Sequence, residues 1–71
     1  MRFSDVIDLW PSARVLAEDI GEKTASVHKW RQRNSIPGEK WLAVVSAAEQ
    51  RGFELNLARL AAIAAAEAPV G

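Results

Sequence analysis

The side chains with chemistry to offer are gathered in one stretch, "EKTASVHKWRQRNSIPGEK", residues 22–40. It holds Lys23, Lys29, Arg31, Arg33 and Lys40 against Glu22 and Glu39, together with His28, the only histidine, and Gln32. Residues 1–21 carry two basic and four acidic residues, and residues 41–71 carry two and three, so the whole chain is formally neutral. Cations gathered this way suit a polyanion, because phosphate contacts are local and net charge mainly sets long-range steering. The plainer reading is a solvated helix face. Catalysis has little to work with, since nothing pairs a nucleophile with a base, and the chain is not expected to be an enzyme. With no cysteine and a single histidine, neither a disulfide framework nor a metal site is expected, and no cofactor is implied.

A chain of 71 residues is one domain with a modest core, too small to build an enzyme pocket easily without metals or disulfides. About half of it is apolar, 49%, which argues for a folded domain rather than a disordered tail. No apolar run approaches the ~18 residues of a membrane span, and the amino terminus lacks the apolar core of a signal peptide. The expectation is a cytoplasmic protein.

The punctuation predicts five helices and no strands, since no stretch alternates apolar and polar residues for long. Ser4 is expected to cap a short first helix with Val6, Ile7, Leu9 and Trp10 as its apolar positions, ended by Pro11. Ser12 caps a second helix through Ala13, Val15, Leu16, Ala17 and Ile20, which stops at Gly21. A third helix spans about 23–33. Asn34, Ser35 and Ile36 leave it, and Pro37 opens a fourth helix that buries Trp41, Val44, Val45 and Ala48 and stops at Gly52. The last helix, about 55–68, is alanine-rich and closed by Pro69.

The second and third helices are joined by a turn too short for an antiparallel arrangement, so they must cross steeply. The crossing requires a small residue, supplied by Ala17, and a turn residue free to take positive φ, supplied by Gly21. It also requires inward apolar residues on the second helix of the pair, supplied by Val27 and Trp30. With Leu16 and Ile20, this spacing over Ala13–Gln32 resembles the helix-turn-helix of the Cro and lambda-repressor superfamily. The following "WRQRNSIPGEKWLAVVSAAEQRG" looks like the small regulators of phage and mobile elements within it, which carry a basic end to the recognition helix and an Ile-Pro step. The likeness covers residues 1 to about 52; beyond that the chain matches only as an amphipathic helix. It implies an all-α, lambda-repressor-like domain of five helices over 1–71, binding double-stranded DNA. One departure stands out: the position after Thr24, often a long polar residue in these readers, is Ala25.

Helix geometry says which residues would read. At about 100° per residue, Val27 and Trp30 set the inward direction, and Ala25, His28, Lys29 and Gln32 lie opposite. Thr24, Lys23, Arg31 and Arg33 flank that stripe. In a major groove Lys29 suits guanine, Gln32 adenine, His28 guanine or phosphate, and the Ala25 methyl a thymine methyl, with Thr24 near the helix start. Ser12, Arg14, Lys23, Arg31, Arg33 and Lys40 are assigned to phosphates.

Duller readings compete with these. Trp30 and Trp41 sit at helical spacing in an apolar stripe and are read as core; Trp10 is read as partly exposed. Arg31 or Arg33 has Glu22 and Glu39 within sequence reach for ion pairing. Asp5, Asp8, Glu18 and Asp19 read as solubilising charge. The function predicted is a transcriptional regulator that binds a palindromic site as a homodimer, paired through a stripe of Leu57, Leu60, Ala61 and Ala64. The alternatives are a protein-interaction module of antitoxin or antirepressor type, and an accessory protein that binds DNA without sequence preference.

Overall fold

The computed structural model describes residues 2–67, and among them forms five helices and no strand. They are α1 (Phe3–Ile7), α2 (Ala13–Ile20), α3 (Thr24–Arg33), α4 (Trp41–Gln50) and α5 (Leu57–Glu67), with a 3-10 turn at Gly38–Lys40 ahead of α4.

The first helix starts earlier than Ser4. Arg2 is its N-cap, and the Arg2 N–H is donated to Asp5 Oδ2 at 2.9 Å. The earlier start brings Phe3 into the core. Ser4 caps nothing; its backbone N–H is donated instead to Asn34 Oδ1 at 3.0 Å. Leu9 and Trp10 lie beyond the helix, and Trp10 is buried, only 3% exposed, correcting the partly exposed reading. Its ring meets Phe53 edge-on, with centroids 5.2 Å apart.

The ends of α2 follow their residue types. Ser12 Oγ accepts the Val15 N–H at 3.3 Å, satisfying a donor that has no partner within the helix. Gly21 takes the left-handed conformation, φ 68°, and Glu22 then donates its N–H to Ala17 O at 2.8 Å. The same closure ends α3, where Asn34 adopts φ 53° and Ser35 N–H reaches Trp30 O at 3.0 Å. Asparagine is one of the few side chains that visit this region routinely.

Pro37 does not open the fourth helix. It is extended, with ψ 135°, and its carbonyl accepts the Lys40 N–H of the 3-10 turn at 2.9 Å, so α4 begins at Trp41. The Trp41 indole N–H is donated to Ile36 O at 2.8 Å, holding this corner. The last helix also starts later than expected: Asn56 Oδ1 accepts the Arg59 N–H at 2.8 Å, so the cap sits after Leu55. Leu55 is buried in the approach to the helix, while Leu57 is 42% exposed. The expected stripe therefore divides. Leu60 and Ile63 are buried and Ala64 packs beside them, whereas Leu57 and Ala61 face outward. The expected end at Ala68 and Pro69 lies outside the described residues.

The core is apolar throughout, with Val6, Ile7, Leu16, Val27, Val44 and Leu60 at its centre and no buried polar side chain among the described residues. Polar ties lie at its rim. Asp19 accepts the Trp10 indole N–H at 2.9 Å and the Arg51 guanidinium through Nε and a terminal nitrogen, fastening α2 to the end of α4. Asp5, Asp8, Glu18 and Asp19, read from sequence as solubilising charge, all bind partners within the fold: Asp5 holds the Arg2 backbone, Asp8 Arg31, Glu18 Arg14, and Asp19 Trp10 and Arg51.

A candidate nucleic-acid interface

Helix α3 is anchored by Val27, fully buried, and Trp30, 9% exposed. These two set its orientation, and with the rise of an α-helix they leave the opposite side to solvent. Ala25, His28, Lys29, Arg31, Gln32 and Arg33 are all exposed there, and Thr24 is half-buried at the start. The short segment Gly21–Lys23 joins α3 to α2, and the two helices pack on each other, with Leu16, Ala17, Val27 and Trp30 all buried in the one core.

Two clefts flank the exposed crest. One lies between the end of α1, the start of α2 and α3, and brings Asp8, Ser12, Ala13, His28 and Arg31 together. The other is lined by Ser26, Lys29, Trp30 and Arg33 of α3 and by Ser35 and Pro37 after it. Ser12 and His28, distant in sequence, thus share one wall of the surface, and Lys29 and Arg33 share the other.

The expected phosphate-binding residues divide into two groups. Arg31 is held by Asp8, the C-cap of α1, with Nε to Oδ1 at 2.8 Å and a second bond at 3.1 Å. Neither Glu22 nor Glu39, the partners within reach in sequence, takes it. Lys40 pairs with Glu22 at 3.0 Å, and Arg14 pairs with Glu18 one turn along α2 at 3.1 Å. The Asp8–Arg31 and Glu22–Lys40 contacts move the titrations of their two partners in opposite directions. Hydrogen bonding from Arg31 lowers the Asp8 carboxyl below its usual value, and the bond from Lys40 lowers Glu22. The same bonds raise Arg31 and Lys40.

Lys23, Lys29 and Arg33 make no ion pair among the described residues, and the side chains of His28 and Gln32 have no hydrogen-bond partner there. The unspent cations therefore sit at the start of α3 and along its second shoulder. Ser26 and Ser35, not among the expected site residues, stand beside that shoulder. The serine spacing Ser26, Lys29, Arg33, which shares one helix side at i, i+3 and i+7, was the available signal for Ser26. Ser35 required knowing that Asn34 reverses the chain.

No group of three or more potential metal ligands occurs among the described residues. No described helix is long and apolar enough to cross a membrane. Comparison with protein-family models, with curated proteins and with solved structures found no match.

Proposed function

We propose that this chain is a sequence-specific DNA-binding regulator that lays α3 in the major groove, with α2 and α3 acting as a helix-turn-helix. The observation carrying this reading is the division of the cations. Arg31, Lys40 and Arg14 are tied to carboxylates, while Lys23, Lys29 and Arg33 make no ion pair among the described residues, beside uncommitted donors and acceptors on Gln32 and His28. Exposed polar side chains on a rigidly packed helix, flanked by free cations, match what base reading and phosphate contact require. Ala25, His28, Lys29 and Gln32, with Thr24 at the entry, supply base contacts. Lys23 and Arg33 meet phosphates directly, Ser12 and Arg14 lie along the α2 side, and Arg31 and Lys40 contribute where a phosphate displaces their carboxylates.

One such helix reads few base pairs, so a useful specificity ratio calls for a second copy on a palindromic site. The homodimer reading is supported by Leu42, 69% exposed, and Leu57, which line an open apolar groove between α4 and α5. That groove also supports the second reading, a protein-interaction module.

Electrophoretic mobility shift of genomic fragments at two salt concentrations tests the proposal. A retained, preferred fragment is the expected result. Binding without preference and with a steep salt slope would indicate an accessory protein, and no shift would favour the protein-interaction reading.

A further inference from the structure

The cleft beside α3 has a composition that sets it apart from the other surfaces of the domain. Its lining consists of Ser26, Lys29, Trp30, Arg33, Ser35 and Pro37, around an open volume of about 200 Å³. Two cations and two hydroxyls face one space that no carboxylate lines. The cleft on the other side of the helix differs in this respect, because Asp8 sits within it and holds Arg31.

Local structure builds the arrangement. Ser26, Lys29 and Arg33 follow one side of the helix. The left-handed Asn34 then turns the chain back, and the Ser35 N–H bonds to Trp30 O at 3.0 Å, which places the Ser35 side chain against that side.

Trp30 adds an independent observation. The indole N–H of Trp10 is bonded to Asp19 and that of Trp41 to Ile36 O. The Trp30 N–H has no acceptor among the described residues, although its ring is about nine-tenths buried. It is not sealed away either, since no buried side-chain nitrogen there lacks a partner. Its N–H is therefore left to solvent, and Trp30 is one of the residues that line the cationic cleft.

We infer that this cleft is a seat for a single phosphate ester, held by Lys29, Arg33, the Ser26 and Ser35 hydroxyls and the Trp30 N–H. The inference rests on the DNA-binding reading for its natural ligand, a backbone phosphate at the edge of the groove. It also moves Lys29 from base reading to phosphate contact. Sequence preference then falls to Gln32, His28 and Ala25, and the position of the phosphate fixes how far α3 slides along the groove.

The test uses the full chain, uniformly ¹⁵N-labelled, with inorganic phosphate titrated against chloride at constant ionic strength. The expected result is a saturable shift of the Trp30 indole resonance and the Ser26 and Ser35 amides, with the Trp10 and Trp41 indoles unmoved. Lys29→Ala and Arg33→Ala should each weaken the binding about tenfold, the loss of one charge-assisted hydrogen bond. Equal, non-saturating drift of all three indoles would overturn the seat. A parallel titration with a duplex separates the two readings. If the duplex binds and its salt slope is unchanged in Lys29→Ala, the seat is wrong and DNA binding stands. If phosphate saturates the cleft and no duplex binds, the seat stands and the DNA reading falls. Both holding, with the salt slope lowered by about one ion per variant, is the expected pattern.

Discussion

Asn34 does two jobs that substitution can separate. Its backbone holds the left-handed conformation that ends α3, and its side-chain oxygen accepts the Ser4 N–H at 3.0 Å, joining α3 to α1. Alanine removes both. A left-handed residue with a Cβ costs about 1 kcal/mol or more, and loss of a partly buried backbone hydrogen bond costs about 1 kcal/mol. Asn34→Ala should therefore lose about 2 kcal/mol. Glycine keeps the left-handed geometry, loses the bond and loosens the unfolded chain, for a net loss of about 1 kcal/mol. Aspartate retains both the acceptor and some tolerance for positive φ, and it places a negative charge against the first turn of α1, so it should lie close to the parent. For a domain of this size each kcal/mol moves the melting midpoint by about 4–8 °C. Thermal melts followed by circular dichroism, with urea titration as a check on the slope, would order the four proteins. A glycine variant as stable as the parent would show that the Ser4 bond is idle. An alanine variant no worse than glycine would show that left-handed geometry is not what selects asparagine here.

Three further outcomes are expected. Asp8→Asn should release Arg31, strengthening binding to random duplex by about threefold or more at low salt and steepening the salt slope by about one ion; unchanged binding would mean that Arg31 has no phosphate within reach. The lowered carboxyls of Asp8, Asp19 and Glu22 contribute stability that is fully present above the ordinary carboxylate range near pH 4 and is lost as pH falls through their depressed values. Melting midpoints should thus be flat near neutrality and fall on acidification, and Asp19→Asn should shrink that fall; an unchanged acid limb would refute the linkage. Leu42→Lys with Leu57→Lys should convert a dimer to a monomer by light scattering while leaving the fold intact, since both are exposed; a parent protein that is already monomeric at tens of micromolar, alone and on DNA, would refute the dimer.

Local signals were readable in the sequence and tertiary ones were not. Ser12 before Ala13 and Gly21 after Ile20 mark the ends of α2 through backbone chemistry that depends on immediate neighbours. Val27 and Trp30 mark the inner side of α3 because helical periodicity alone fixes it. Arg31 shows the limit. Its carboxylate lies 23 residues away, and nearby Glu22 and Glu39 offered more obvious partners in sequence. Asp19 likewise reaches Arg51 across 32 residues. Such pairings depend on how helices meet, which periodicity does not encode. The Leu57 register differs in kind: Asn56 is a good N-cap residue, but the apolar run beginning at Leu55 masks it. The crest of α3, Ala25, His28, Lys29 and Gln32, was legible as an exposed face. The cleft with Ser35 was not, because it depends on the reversal at Asn34.

The attachment of α1 to α3 has a consequence for genetics. A helix of five residues is far too short to persist alone in water, yet two of its ties, Ser4 to Asn34 and Asp8 to Arg31, hold the far end of the helix proposed to read DNA. Substitutions at Phe3, Ser4 or Val6 would tilt or loosen that end without touching a base or a phosphate. Under the proposed function, a screen for loss of DNA binding would therefore recover them among the contact-residue alleles and make the amino terminus look like part of the binding surface. Suppressors that restore binding from within α3 would reveal it instead as the strut that sets the angle of the helix proposed to read DNA.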